Sequence, residues 1–254
     1  MLLAITRQVS PSIAQCELTH LEREPIDLEL ARKQHASYES CLAELGCRVR
    51  SLPAEPDLPD AVFVEDAAIV LDDLAIITRP GAPSRRAETV SIEKALAPYR
   101  IIRRIEPPGT LDGGDVLRIG SALYVGVSGR SDAAGIEQLR AHVAPFRYSV
   151  AAVPVRGCLH LKSAVTQVGP ETVLINRQWV DPAHFSGMQR IDVSPEEPRG
   201  ANALFIDGQV VYPDDLPRTA QRLHDAGISV RPVGVSELAK AEGGVTCCSL
   251  LVRV

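Results

Sequence analysis

No stretch of about eighteen consecutive apolar residues occurs in the sequence, which excludes an ordinary membrane-spanning helix. Positive charge is not in excess either. The 27 Lys and Arg are outnumbered by 32 Asp and Glu, for a net charge of −5. That balance argues against a nucleic-acid partner, because phosphate binding needs a basic face. No Cys-x-x-Cys pair is present, so a structural zinc site has no sequence support. The opening "MLLAITRQVSPSIAQ" lacks the basic region that precedes the apolar stretch of a secretory signal. The expectation is a cytoplasmic protein whose six cysteines are reduced. At 254 residues, 45% of them hydrophobic, the chain buries enough apolar surface to fold without disulfide or metal staples.

What the sequence does contain is a repeat. Four segments, starting at Val64, Asp112, His160 and Gly200, open with polar or small residues and enter an apolar run. Each then turns, at Asp72-Asp73, Gly120-Ser121, Gly169-Pro170 or Asp207-Gly208, into a second apolar run. That is a β-hairpin signature. After three of the hairpins come a helical pattern and an extended stretch: "SRRAETVSIEKALAPY" then "RIIRRIEPPG", "SDAAGIEQLRAHVAPF" then "YSVAAVPV", "PRTAQRLHDAG" then "ISVRPVG". Ser131 or Asp132 suits the second helix as N-cap, and Gly227 the third as C-cap. The segment "RQWVDPAHFSGMQRIDVSP" after the third hairpin carries a weaker pattern, and a short helix is expected there. A fifth segment, "GVTCCSLLVRV", has only a first strand. The N-terminal "MLLAITR", "DLELARKQHASYESCLAELG" and "CRVRSLP" supply the missing strand, helix and strand. The expected fold is α/β: a closed five-fold pseudosymmetric propeller of ββαβ units, with the fifth split between the termini. Residues 1–254 then form a single domain without open sheet edges.

Such a ring would gather the residues that lead into the first strands: Glu65 and Asp66, Asp112, His160 and Cys247. A lone histidine is ordinarily a plain core or surface residue. The repeat-equivalent position of His160 is what singles it out. A thiol beside an imidazole is a nucleophile with its base. Several carboxylates in one pocket repel one another unless a cation sits among them. Guanidinium suits them, with five N–H donors in a fixed fork. Arg85 and Arg130 stand at expected helix starts, where an anion is favoured. Carboxylates at one end and arginines at the other describe a site for an arginine-like amino acid.

The motifs "LPDAVFVEDAAIV", "ITRPGAPSRR", "GTLDGGDVL", "LHLKS", "GANALFI" and "GGVTCCS" closely resemble those of the dimethylarginine dimethylaminohydrolase family, guanidino-group-modifying enzymes of the pentein fold. The resemblance runs from about Leu18 to Cys248. It implies hydrolysis of Nω-methylated arginines to citrulline and methylamine or dimethylamine, with no cofactor. It implies Cys247 as nucleophile, His160 as general acid and base, and Asp112 as the acid that holds guanidinium and histidine. Asp66 would bind guanidinium nitrogens, and Asp60, Phe63 and Glu65 would line the site. Arg85 and Arg130 would meet the substrate carboxylate, and Leu18 would belong to a covering loop. Ala241 stands where the family often carries a larger aliphatic residue, which puts side-chain specificity in question. The partner is a small molecule, homodimers are common in the family, and zinc at Cys247 and His160 would act only as an inhibitor. Three other readings stay open: an arginine deiminase releasing ammonia, a non-enzymatic amino-acid or zinc sensor, and a redox switch at Cys247–Cys248. Strand alternation predicts that Cys248 points away from Cys247, into the core.

Overall fold

The structure, a computed structural model, describes residues 1 to 254. Its elements are β1 (Leu2–Arg7), α1 (Leu28–Glu44), β2 (Cys47–Leu52), β3 (Ala68–Val70), β4 (Leu74–Ile77), α2 (Thr89–Leu96), β5 (Ile101–Arg104), β6 (Val116–Ile119) and β7 (Ala122–Val127). There follow α3 (Ala133–Val143), β8 (Ser149–Pro154), the single turn α4 (Leu161–Ala164), β9 (Val165–Gly169), β10 (Thr172–Ile175) and β11 (Gln189–Asp192). The last are β12 (Leu204–Ile206), β13 (Gln209–Pro213), α5 (Pro217–Asp225), β14 (Ser229–Val233), the single turn α6 (Ser236–Ala239) and β15 (Leu250–Arg253).

The strands form five three-stranded sheets: β3-β4-β5, β6-β7-β8, β9-β10-β11, β12-β13-β14 and β15-β1-β2. In each, the first two strands are antiparallel and the third is parallel to the second. The last sheet obeys the same rule although its strands come from opposite chain ends. Leu3 pairs with Val252 on one side and Arg48 on the other. The terminal ammonium of Met1 donates to the Val254 carbonyl at 2.8 Å, where the other sheets have a tight turn. At one such turn, Asp207 and Gly208 both have positive φ (43° and 87°), the conformation that Asp-Gly favours.

The middle strand of each sheet is buried on both faces, and its alternation assigns each face to a different core. In β4, Ala75 and Ile77 pack with Leu3, Leu250 and α2, whereas Leu74 and Ile76 pack with Leu123, Val125 and α3. In β10, Val173 and Ile175 join Leu117 and Val153, whereas Leu174 joins Val210, Tyr212 and α5. In β13, Val211 turns the other way, to Ala4 of β1 and to Tyr38 and Leu42 of α1. Five apolar clusters thus each bridge two sheets that follow one another in the chain, the last joining β12-β13-β14 to β15-β1-β2.

The helices keep to their expected places. Asp27 caps α1 by accepting from the Leu30 N–H, and Asp132 caps α3 by accepting from Gly135. The short helix expected between β10 and β11 is a single 3-10 turn, Pro182–Phe185. One expectation changes: the polar residues that lead the hairpins do not sit on strands. Val64–Ala67 and Gly113–Asp115 are 3-10 turns, His160 caps α4, and Cys247 lies in a turn ahead of β15. The opposed directions of Cys247 and Cys248 therefore come from a turn rather than strand alternation. The Cys247 N–H donates to the Gly244 carbonyl, Cys248 is buried, and Cys247 stays partly open.

Tyr38 locks the two terminal segments together. Its buried hydroxyl donates to the Val245 carbonyl at 2.8 Å and lies 2.7 Å from Ser249 Oγ. Tyr38→Phe leaves both oxygens without that partner. Loss of about 1–3 kcal/mol is expected, since a buried group is left unsatisfied, and a drop of several degrees in Tm by calorimetry would register it.

Candidate active site

Three strand-leading turns bring charge into one buried place. The turn Val64–Ala67 presents Asp66, the segment before β6 presents Asp112, and the turn before β9 presents His160. His160 Nε2 lies 3.0 Å from Asp112 Oδ2, and Nδ1 lies 3.7 Å from Asp66 Oδ1. All three side chains are buried. Each carboxylate is anchored on its far side. Asp66 accepts from the Gly114 N–H at 3.0 Å and from Arg85 Nη1 at 2.7 Å. Asp112 accepts from the Gly81 N–H at 2.8 Å. Asp115, also buried, accepts from Ser128, Ser131 and the Leu161 N–H, and so fixes the turn that carries His160.

The second glycine of "LDGGD" has a steric reason. A Cβ on Gly114 would fall 2.6 Å from both Asp66 Oδ1 and His160 Nδ1, and one on Gly113 would fall 1.9 Å from the Glu65 carbonyl. Only glycine lets these turns approach so closely.

Cys247 and His160 share the wall of a cavity with Asp60, Phe63, Asp66, Arg85, Arg130 and Ala241. The space inside is about 10 Å³, the size of one water. Residues 17–21 bond to three of its lining side chains. The Glu17 N–H donates to Asp60 at 3.0 Å, Arg130 Nη2 donates to Thr19 at 2.9 Å, and the N–H groups of Thr19, His20 and Leu21 all point at the Glu242 carboxylate. Arg130 Nη1 is buried without a hydrogen bond, 3.9 Å from Asp112 Oδ2, so it keeps a donor free for an anion. Arg85 is the opposite case. Its donors go to Glu88, Asp66 and, at 3.4 Å, to the carbonyls of Asp60 and Phe63.

Three expected residues stand outside this wall. Asp112 lies behind His160, and Leu18 packs its side chain against the neighbouring core. Glu65 turns away altogether. It forms an ion pair with Lys162, accepts from Thr246 Oγ at 2.7 Å, and faces a separate cavity along the first strands of the sheets. The reason is the turn Val64–Ala67: adjacent residues of a helical turn diverge, so Asp66 and Glu65 serve opposite sides. Sequence reasoning did not find Glu17, Leu159, Glu242 or Gly243, which also line the cavity. Glu17 and Glu242 bear no motif; Leu159, within the quoted "LHLKS", and Gly243, within "GGVTCCS", had a signal.

The electrostatics follow from burial and these charges. Burial pushes the Cys247 thiol up to about 12, reinforced by Glu65 and Asp66 and opposed by the Gly244 N–H and Lys162. Burial works against an imidazolium at His160, but Asp66, Asp112 and Asp115 outweigh it and hold its pKa at about 9. Burial likewise opposes charge on Asp66, yet His160 and Arg85 keep it at about 2. At neutral pH the site therefore holds a protonated thiol, an imidazolium and an ionised Asp66. Asp66, Asp112 and His160 are also the side-chain group able to hold a cation, with donor atoms within 4.8 Å of one another. Cys247, the thiol expected to join zinc there, is not in that group.

A thiol, an imidazole and buried carboxylates on a scaffold of five repeated sheets are the equipment of a guanidino-modifying hydrolase. Residues 54–197 match the arginine deiminase family model. The chain is 43% identical to a dimethylarginine dimethylaminohydrolase of Streptomyces coelicolor, over 98% of this chain and 96% of the relative. It is 34% identical to that of Pseudomonas aeruginosa, over 88% and 89%. A structure of the Pseudomonas aeruginosa enzyme, a cysteine-to-serine variant complexed with citrulline, matches with a TM-score of 0.93 at 32% identity, covering 98% of each chain. The chain belongs to the dimethylarginine dimethylaminohydrolase family.

Two outcomes test the geometry. Gly114→Ala is expected to keep the fold and lower kcat/KM by about a hundredfold or more, because displacement of a reacting group by an ångström costs that much. In the ligand-free protein, the rate of Cys247 alkylation by iodoacetamide is expected to rise about tenfold per pH unit between pH 7 and 9, since only the thiolate reacts. A plateau within that window, read by mass spectrometry, would contradict the raised thiol.

Proposed function

We propose that this chain hydrolyses Nω-methylated L-arginines to L-citrulline, releasing methylamine or dimethylamine. The observation that carries the reading is one cavity wall shared by Cys247, His160 and Asp66 with Arg130, whose buried Nη1 makes no hydrogen bond and lies 3.9 Å from Asp112. The citrulline complex of the related Pseudomonas aeruginosa enzyme supports the product.

An arginine does not fit into the space of one water. Residues 17–21, Leu18 among them, move aside and release Asp60 and Arg130 from their bonds to Glu17 and Thr19. Asp60 then takes the α-ammonium and Arg130 the α-carboxylate. Arg85 reaches the carboxylate by giving up its long bonds to the Asp60 and Phe63 carbonyls, and otherwise holds Asp66 in place. Phe63 and Ala241 flank the side chain. Asp66 receives the guanidinium N–H groups, and Asp112 holds His160.

The guanidinium also activates the thiol. Burial, reinforced by Glu65 and Asp66, holds the ligand-free Cys247 in its protonated form. A guanidinium bound at Asp66 offsets the carboxylate field and favours the thiolate, whose proton leaves to solvent. The thiolate adds to the guanidinium carbon, and His160, an imidazolium at neutral pH, protonates the departing amine. A covalent thiouronium remains. The now neutral His160 takes a proton from water, which attacks the same carbon and frees Cys247 and citrulline. No step calls for a cofactor. Zinc held by Asp66, Asp112 and His160 would occupy the acid–base pair, which fits inhibition rather than catalysis.

The reading includes the scaffold and the setting. The succession of five bridging cores supports a single domain closed into a five-fold ring, because one cluster joins β12-β13-β14 to the split sheet and another joins the split sheet to β3-β4-β5. A homodimer and a cytoplasmic location are part of the same proposal. No helix is long and apolar enough to cross a membrane.

Incubation with arginine, monomethylarginine and asymmetric dimethylarginine, with citrulline and amine detection, tests the substrate. Turnover of the methylated forms is expected. Rapid turnover of arginine alone would make the chain a deiminase. Cys247→Ser is expected to abolish citrulline formation, and full activity in that variant would overturn the nucleophile.

A further inference from the structure

A second cavity meets the first at the reacting thiol. The two share Leu159, Glu242, Gly243 and Cys247, and from there the second runs outward as a half-open groove of about 250 Å³. The two have different chemistry. The inner cavity is lined by Glu17, Asp60, Asp66, Arg85, Arg130 and His160. The groove is walled by Leu21, Trp179, Leu216, Val235 and Ala239. Its two further charged residues, Arg199 and Asp215, are exposed.

A substituted arginine has the same division. Its ammonium, carboxylate and guanidinium need charged partners, and these lie inside. The one part that gains from apolar walls is the substituent on the guanidino nitrogen. The attacked carbon must sit at Cys247 Sγ, so a nitrogen bonded to that carbon lies at the junction of the two cavities. We propose that the groove is a subsite for the Nω-substituent, and that the chain hydrolyses arginines whose Nω-alkyl group is longer than methyl. The proposal rests on the functional reading above and extends it. The volume supports it: about 250 Å³ is far more than two methyl groups fill. The wall also comes from separate elements of the scaffold. Trp179 follows β10, Leu216 precedes α5, and Val235 and Ala239 flank and end α6, so among the lining residues only His20 and Leu21 belong to the covering segment.

The chemistry is unchanged. The sulfur–carbon bond forms, and the bond from that carbon to the alkylated nitrogen breaks with its electrons going to nitrogen. The nitrogen takes the proton from His160 and leaves as a primary alkylamine. Water then supplies the citrulline oxygen and returns protons to the thiol and the imidazole.

The test compares Nω-methyl- and Nω-propyl-L-arginine with the full chain, reading citrulline and free amine by mass spectrometry. Propylamine and citrulline are expected, with kcat/KM within about tenfold of the methyl substrate, the scale of a few methylenes in an apolar pocket. Leu216→Trp, which fills the groove, is expected to lower the propyl rate at least about tenfold and the methyl rate less than about twofold. Ala239→Phe adds bulk from another element and is expected to do the same, which guards against a misfolded first variant. Turnover of the methyl substrate alone, or equal losses on both substrates in both variants, overturns the subsite and leaves the functional reading intact. Turnover of neither substrate overturns that reading and the subsite with it.

Discussion

A charged cluster shut away from water ties the turns of this chain to one another. Asp66, Asp112 and His160 come from three different sheets and meet within hydrogen-bonding or ion-pair distance. Buried charges of this kind cost several kcal/mol each unless paired and hydrogen-bonded. Here the pairing is nearly complete: Gly114, Gly81 and Arg85 serve the aspartates, and the aspartates serve the imidazolium. The cluster thereby fixes the position of each turn. It sets the place of the cavity wall, and Asp66 adds to the burial that keeps Cys247 protonated.

The scaffold makes that cluster possible by an economical use of strand geometry. Each middle strand has alternate residues in two cores, so neighbouring sheets are held by shared strands rather than by separate layers. Every unit then delivers the start of its first strand to a common region. The helical turns inserted ahead of those strands refine the delivery. They separate Glu65 from Asp66 and Cys247 from Cys248, so that each adjacent pair serves two different environments. Asp66 binds His160 while Glu65 binds Lys162; Cys247 meets the cavity while Cys248 packs in a core with Tyr38.

Much of this was readable beforehand. The hairpin turns, the helices after three of them and the split fifth unit all agree with the sheets formed, because Asp-Gly turns, N-caps and apolar runs are local signals. Cys247, His160 and Asp66 were legible because the repeat aligned them. Arg85 was legible as a charge but not as a side chain already committed to Glu88 and Asp66. Glu242 was not legible at all. Its role as acceptor for three consecutive N–H groups depends on residues more than two hundred positions away. The weak stretch between β10 and β11 was legible as a short helix but not as 3-10 rather than α.

By itself the sequence determined the unit of the fold, its fivefold recurrence and the residue types of the chemistry, because turn propensity, helix capping and apolar periodicity act over a few residues. Tertiary structure decided which way each functional side chain faces, what pairs with it and how much room remains beside Cys247. Those properties depend on the approach of distant turns to within a few ångströms, as at Gly114, and on charges exchanged between sheets in a place without water. No local pattern carries that information, since a Glu-Asp or Cys-Cys pair does not reveal which distant groups each member will meet.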